Sequence, residues 1–276
     1  MNIRISKTDF ELAVKAARDP KGKIFDVMQN SIEMQAEKIA TNLLGTPGIT
    51  AVENNPEGIL CMLVKRLACV SAFLREMRGL DLVLTHTGFG VVSTNDTAPA
   101  SKMRVDALEG ELKRTERQLR TDLITQLFQV SGWHETSQRL TVVETLFYSF
   151  FMLEYYAAIS NPKPEDWDNN YPAVLAADAF LRKHIGNAYM DELISQMTSD
   201  SLPWQNEQIV RLCQKFIGAW IAQNRQLQDE LYMRMINRLE SDLSSYPTYA
   251  GSEAYRLNHF KQYENHAEDS AFHFVG

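Results

Sequence analysis

One helical pattern occurs twice in the sequence, first from Glu57 and again from Glu207. Most apolar positions of the first stretch stay apolar in the second, and four positions are identical: Glu57/Glu207, Ile59/Ile209, Lys65/Lys215 and Ala72/Ala222. A weaker similarity lies upstream and pairs Ile3, Ser6, Phe10, Glu11 and Leu12 with Leu146, Ser149, Leu153, Glu154 and Tyr155. A repeat at this distance is typical of two related subdomains, because solenoid repeats are much shorter. Chance similarity between two buried helices is the alternative.

Helical periodicity and turn signals predict a mainly α fold with two related helical-bundle subdomains. The first subdomain covers residues 1–132 and the second covers 133–245. A β-hairpin is predicted over 82–93, where two β-type runs are separated by turn residues. A long helix is predicted over 99–130, with one apolar stripe and a charged outer face. Residues 246–276 lack helical periodicity and are predicted to form an extended C-terminal arm.

The composition is that of a folded globular protein, with 45% hydrophobic and 23% charged residues among 276. The formal net charge of −7 argues against a general nucleic-acid coat, which would present a basic surface. An acidic surface does suit the wall of a conduit through which DNA passes without being specifically bound.

The three cysteines, Cys61, Cys69 and Cys213, lie in apolar helical stretches without a CxxC spacing. This pattern predicts free thiols that act as small core residues in a reducing compartment. The first residues contain no apolar signal-peptide region, and no apolar run is long enough to span a bilayer. We therefore expect a protein made in the cytoplasm, with no membrane association.

The sequence contains none of the Walker, GxGxxG, HExxH or GxSxG motifs that mark common catalytic or cofactor sites. The histidines and acidic residues near the C-terminus, between His266 and His273, lack the fixed spacing on a rigid element that a metal site needs. We predict no catalytic residue, no cofactor and no metal, and therefore no enzymatic activity.

A basic run, Arg114, Arg117 and Arg120, recurs every three residues on the predicted long helix. Acidic residues lie between and before these arginines, so an ion-pair network within the helix or between subunits is favoured over contact with a nucleic-acid backbone. Arg114 and Arg117 are candidate partner-binding residues on this basis.

Aromatic residues persist to the end of the chain, although a disordered tail would usually lack them. We interpret residues 246–276 as an arm that docks on a neighbouring subunit, with packing on its own chain as the alternative. Deleting residues 247–276 is then expected to abolish ring or portal attachment and leave the helical body folded. The candidate contact residues in this arm are Tyr249, Tyr255, Phe260, Tyr263, Phe272 and Phe274.

Two short motifs carry a resemblance to a known family. The first runs from Gly88-Phe89-Gly90-Val91 through Ala98-Pro99 into the long charged helix, and the second is the ending from Tyr263-Glu264-Asn265 to Phe274. Both resemble an uncharacterised family encoded by phages and prophages of Bacteroidetes-type bacteria. Proteins of that kind look like relatives of head–tail connector (adaptor) proteins, although this chain is about twice as long as the small connector domain.

The resemblance implies a structural virion protein at the head–tail junction, made in the bacterial host cytoplasm. Its partners would be the portal protein on one side and tail or stopper proteins on the other. It would form a homo-oligomeric ring of about twelve subunits, closed by repeated contacts between neighbours. The hairpin would supply two further candidate contact residues, Phe89 and Val91.

Two other functions compete with the connector. One is a helical enzyme or ligand-binding protein with a pocket between the two subdomains, lined by Phe147, Phe150, Tyr155 and Trp220. The other is a regulatory module that recognises nucleic acid through residues 113–120 of the long helix. Ligand-dependent thermal stabilisation would favour the first, and DNA binding with a steep salt dependence would favour the second.

Overall fold

The computed structural model describes residues 3–17, 23–80, 82–85, 88–91 and 101–259, with side chains for all of these except the residues of the two strands. The described chain is mainly α-helical, which confirms the predicted fold class.

The first half contains five α-helices and two short irregular helical turns. These elements are α1 (Lys7–Ala13), the 3-10 turn Lys15–Ala17, α2 (Lys23–Ile39), the π-helical turn Ala40–Leu44, α3 (Gly45–Asn54), α4 (Ile59–Glu76) and α5 (Lys102–Leu127). Helix α1 begins at Ser6, whose hydroxyl accepts from the amide of Asp9 while the Asp9 carboxylate accepts from the amide of Ser6. This reciprocal capping box satisfies two amides that a helix start would otherwise leave unpaired.

The second half contains shorter connecting helices around a central pair. The elements are the 3-10 turn Trp133–Glu135, α6 (Ser137–Val142), α7 (Met152–Tyr156), α8 (Pro164–Ile185), α9 (Asn187–Thr198), α10 (Trp204–Ile221), α11 (Arg225–Ser241), the 3-10 turn Leu243–Ser245, α12 (Pro247–Ala250) and α13 (Glu253–Asn258). Helix α8 ends at Gly186, which adopts a positive φ of 97° that residues with a side chain rarely take.

Each half is organised around one 18-residue helix. Helix α4 packs against α1, α2 and α5, and helix α10 packs against α7, α8 and α11. In both halves a short helix, a long helix, a shorter helix, the central helix and another long helix follow in the same order. This order is compatible with an internal duplication, which stays a prediction.

A single cluster of buried side chains extends through both halves of the described chain. Trp133 is fully buried, and its indole nitrogen donates to the carbonyl of Leu43 at 2.8 Å. Gln138 on α6 donates to the carbonyl of Thr41 at 2.9 Å. The segment that follows α5 is therefore held against the π-helical turn of the first half.

Two four-residue strands lie between α4 and α5. Strand β1 (Leu82–Thr85) pairs antiparallel with β2 (Gly88–Val91), and Leu82 lies opposite Val91 in the register. The long helix was predicted over 99–130; α5 begins at Lys102 and ends at Leu127, and residues 99 and 100 lie outside the described chain. Its end is earlier than predicted because residues 128–132 form a turn that leads into a left-handed Gly132 (φ 79°).

The prediction of an extended C-terminal arm is wrong over residues 247–258, which form α12 and α13. Tyr246 and Tyr249 are buried, with their rings 6.3 and 6.1 Å from that of Tyr189. These aromatic contacts fix the segment on α9, and Ser252 caps α13 by accepting from the amide of Tyr255. Residues 260–276, the remainder of the predicted arm, lie outside the described residues.

All three cysteines are buried and free, which confirms their prediction as small core residues. Burial raises the pKa of the Cys69 thiol to about 12, since the nearby carboxylate of Asp9 adds to the desolvation and outweighs Lys65. A thiol with such a pKa stays protonated at neutral pH and behaves as a small apolar group.

Candidate functional site

The paired strands and the flanking helical segments form one end of α5 and α4, where two apolar side chains are exposed. We define this hairpin end as residues 77–80, the two strands and the first ten residues of α5, 102–111. The first buried residue of α5 is Leu112, and before it Leu108 is partly buried against the core. Met103 is 79% exposed and Leu80 is 38% exposed. A contiguous exposed apolar patch marks an interaction site, and Leu80 and Met103 are the exposed large apolar residues described at this end.

Ion pairs fix the start of α5 to the end of α4. Arg78 donates to Asp106 at 2.8 Å and through Nε to Glu109 at 2.7 Å. Lys113 lies 2.9 Å from Glu109, and its hydrogen bond, followed by that of Arg78, lowers the pKa of the Glu109 carboxyl. All these groups are close to solvent, so each pair adds little stability and chiefly orients the helix.

The basic residues of α5 are partly neutralised within the chain. Of the three arginines in the predicted ion-pair network, only Arg117 has an ion pair with a described residue, and its partner lies on another helix. Arg117 donates to Asp168 on α8 at 2.8 Å, in addition to the Lys113–Glu109 pair within the helix. Arg114 is half-buried and has no hydrogen bond or ion pair with the described residues. These pairs leave no continuous row of free cations on α5 for a nucleic-acid backbone.

A cleft of about 580 Å³ lies between the two halves. Its first-half wall comes from α2, α4 and α5, and its second-half wall comes from α6, the segment 143–151 and α8. The polar residues that line it include Gln35, Lys38, Asn42, Ser71, Glu116, Arg117, Arg120, Thr121 and Thr141. Its aromatic residues are Tyr148, Phe150, Trp167 and Tyr171. The combination of mixed polar groups and aromatic surface is typical of a binding site.

The cleft carries an excess of positive charge. Lys38 and Arg120 have no hydrogen bond or ion pair with the described residues, whereas Glu116 accepts a hydrogen bond from the Ser71 hydroxyl. Arg120 stays accessible at the mouth, yet the surrounding walls remove part of its hydration. That desolvation, followed by the charge of Arg117, lowers the pKa of the Arg120 guanidinium, which remains charged at neutral pH.

The aromatic wall of the cleft is firmly positioned. The ring of Trp167 stacks on Phe147 at 6.4 Å, and the hydroxyl of Tyr171 donates to Glu144 at 2.5 Å. Desolvation, followed by this hydrogen bond, raises the pKa of the Tyr171 hydroxyl. Tyr171 therefore stays a neutral donor, and these rings present a fixed surface to any occupant of the cleft.

The residues predicted to line a pocket between the halves are mostly elsewhere. Phe150 lines the cleft, but Phe147 is fully buried behind it and Tyr155 is 80% exposed. Trp220 packs against Phe180 in the second half. The sequence analysis missed Lys38 and Trp167, and it noticed Arg120 only as part of a basic run. No local signal brings these three residues together, since they belong to three helices far apart in the chain.

Apart from Arg114 and Arg117 on α5, the predicted partner-binding residues divide into three groups. Tyr249 is fully buried in its own chain and cannot contact a partner in this conformation, while Tyr255 is half-buried against Tyr249 at 5.4 Å between rings. Phe89 and Val91 lie in β2, and their side chains are outside the described part. The remaining candidates are also outside the described residues: Phe260, Tyr263, Phe272 and Phe274.

Within the described ranges, no group of three or more His, Cys, Asp or Glu side chains is arranged to hold a metal ion. Of the helices in those ranges, none combines the length and the apolar character needed to cross a bilayer.

Comparison with protein-family models matches the first half of the chain to a known family. Residues 26–141 match the model of DUF6712, a family of unknown function. The matched span begins in α2 and ends in α6, so it contains the hairpin end and the first-half wall of the cleft. No curated protein and no solved structure matches the chain.

Proposed function

We propose that the chain is a structural subunit of a tailed-phage virion, a head–tail connector that forms a ring between the portal and the tail. The single observation that carries this proposal is the hairpin end. The segment between α4 and the paired strands exposes Leu80, and the first turn of α5 exposes Met103. A ring subunit needs such an element to reach a neighbouring protein.

In a closed ring, weak contacts between neighbouring subunits would be sufficient to hold the assembly together. Each subunit would offer one surface to the next, and closure of the ring makes the last contacts effectively intramolecular. The helical core supports this function by giving the hairpin end a rigid base. DNA would pass through the ring, and the ion pairs of Lys113 and Arg117 favour an inner surface to which it does not adhere.

A second candidate function is favoured by the cleft. Its volume of about 580 Å³ is in the range of small-molecule sites, so a ligand-binding protein or enzyme remains a competitor. A metabolite that raised the melting temperature of the purified protein would support this alternative. The connector proposal predicts no such metabolite.

The decisive experiment is imaging of the particles produced by the genome that encodes this chain. Mass spectrometry of purified particles should detect the protein, and cryo-electron microscopy should reveal a ring of it between portal and tail. A particle fraction that lacks the protein, with normal heads and tails, would overturn the proposal.

A variant at the hairpin end tests whether the exposed Met103 takes part in attachment to the portal. Met103→Asp places a charge on an exposed apolar position and should block attachment to the portal while the protein keeps its melting temperature. The matched control is Met233→Asp, on a 55% exposed position of α11, far from the hairpin in the chain. If both variants assemble like the wild type, the hairpin end does not make the contact.

A further inference from the structure

The cleft is suited to an anionic occupant. Lys38 and Arg120 contribute two positive charges without a hydrogen bond or ion pair to a described residue, and Arg117 adds a third that is shared with Asp168. Among the described residues that line the cleft, Glu116 is the one carboxylate, and its charge offsets part of that of Arg120. The cleft therefore keeps a net positive charge. Carboxylates are good partners for such groups because hydrogen bonds between charged partners are about twice as strong as neutral ones.

The volume and the aromatic wall of the cleft fit an occupant larger than a single carboxylate or phosphate ion. A free carboxylate or phosphate would occupy a small part of about 580 Å³ and would leave Phe150 and Trp167 uncovered. An occupant that fits both walls carries acidic groups and aromatic or aliphatic side chains together. A peptide segment several residues long has that chemistry.

The chain's own last residues have this composition. Between Phe260 and Gly276 the sequence has three acidic residues and one lysine, together with four aromatic residues. The acidic residues are Glu264, Glu268 and Asp269. Residues 260–276 follow α13, which packs on α8. The residue that caps α13, Ser252, lies beside Gly186 at the C-terminal end of α8. The cleft residues Trp167 and Tyr171 lie near the N-terminal end of the same helix.

We infer that the cleft of one subunit receives residues 260–276 of a second copy of this chain. The inference rests on the proposed function, because a ring places a second copy beside every subunit. Carboxylates of the segment would pair with Lys38 and Arg120, and its aromatic side chains would cover the aromatic wall. The contact would link neighbouring subunits without using the hairpin end.

Photo-crosslinking of the full-length protein tests the inference. Thr141, exposed on the cleft wall, is replaced by the photoreactive residue p-benzoylphenylalanine, and equal amounts of normal and ¹⁵N-labelled protein are mixed before irradiation. We expect crosslinked peptides that join residue 141 to the segment 260–276, with mixed isotope pairs showing that two copies are joined. Crosslinks within single copies only, or to any other segment, would overturn the inference.

Charge variants provide a second measurement. A double variant, Lys38→Ala with Arg120→Ala, should weaken binding of a fluorescent peptide with the sequence of residues 260–276 by at least about tenfold, since charge-assisted contacts are lost. Lys183→Ala is the control, because this exposed lysine of α8 does not line the cleft, and it should bind like the wild type. Both altered residues are exposed, and circular dichroism should verify that the fold is retained.

The peptide itself supplies a further control. Replacing its three acidic residues with Gln or Asn should weaken binding as much as the double variant does. Equal binding of the neutral and acidic peptides would contradict the role given to Lys38 and Arg120. If this inference fails while particles still contain the ring, the connector proposal stands; if particles lack the ring while crosslinks between copies persist, the connector proposal alone falls.

Discussion

The short helices α1 and α7 pack against the central helices α4 and α10 through different kinds of contact. Helix α1 approaches α4 through side chains: the ring of Phe10 lies 6.3 Å from that of Phe73, and Lys65 lies 3.5 Å from Asp9. Helix α7 approaches α10 through its backbone. A Cβ added at Gly218 would lie 2.2 Å from the carbonyl oxygen of Tyr156.

The same order of helices is thus compatible with packing through side chains in one half and with close backbone packing in the other. Ala68 on α4 lies 150 residues before Gly218, the separation of the sequence repeat, and is fully buried. The chain therefore places a side chain at residue 68 of α4 and none at residue 218 of α10. Gly218 is therefore required for close approach, and the polar contact of Tyr156 with Gln214, at 3.4 Å, accompanies it.

The largest expected effect is the truncation of Phe10, the main side-chain contact of α1. Phe10→Ala should lower the free energy of unfolding by about 4 kcal/mol, because a fully buried ring is lost and a cavity remains. Leu153→Ala, at the corresponding position before α10, should cost about 3 kcal/mol. Urea denaturation measures both. If Leu153→Ala lowered the free energy of unfolding as much as Phe10→Ala does, the comparison would fail. Side chains would then be as important for the packing of α7 as they are for that of α1.

The next effect concerns Gly218. Gly218→Ala should cost about 3 kcal/mol despite the higher helix propensity of alanine, because the new methyl group meets backbone atoms that cannot move independently. Ala68→Gly should cost only about 1 kcal/mol. Gly110→Ala is the control, since nothing lies within 4 Å of its added Cβ, and it should gain about 0.5–1 kcal/mol. Equal losses at residues 68 and 218 would remove the distinction between the halves.

Much of the helical body was predictable because helix burial is encoded locally. The spacing of Met28, Ile32, Ala36 and Ile39 predicted α2, and all four side chains are buried on one face of it. The C-terminal error has the opposite cause. The ring of Tyr249 packs against that of Tyr189, sixty residues earlier in the chain. No periodicity in residues 246–258 predicts this contact.

The cleft was less predictable than the helices. A pocket between the halves was foreseen as an alternative, yet only Phe150 of the four proposed lining residues belongs to it. Side chains such as Lys38 and Arg120 come to line the same cleft only after α2 and α5 have packed on α4. Such convergence depends on tertiary contacts, and a single sequence carries no direct signal for it.

The smallest expected effect is that of the Lys65–Asp9 ion pair, which has no counterpart at Lys215 of α10 among the described residues. Desolvation opposes the ionisation of Asp9, but the hydrogen bonds from Ser6 and the charge of Lys65 together lower the pKa of its carboxyl below the ordinary value of 3.8. A lowered folded-state pKa stabilises the fold above the unfolded pKa, and this stabilisation is lost as the pH falls through the folded value.

Lys65→Gln should therefore cost about 0.5–1 kcal/mol at pH 7, and the difference from wild type should shrink as the pH falls below about 4. Lys215→Gln, on the exposed corresponding position, should change stability by less than about 0.5 kcal/mol at either pH. Urea denaturation of the three proteins at pH 7 and at pH 3 gives both differences. A Lys65 effect that stays constant between these pH values would show that the side chain acts through packing of its aliphatic stem, and α1 would then depend on apolar contacts alone.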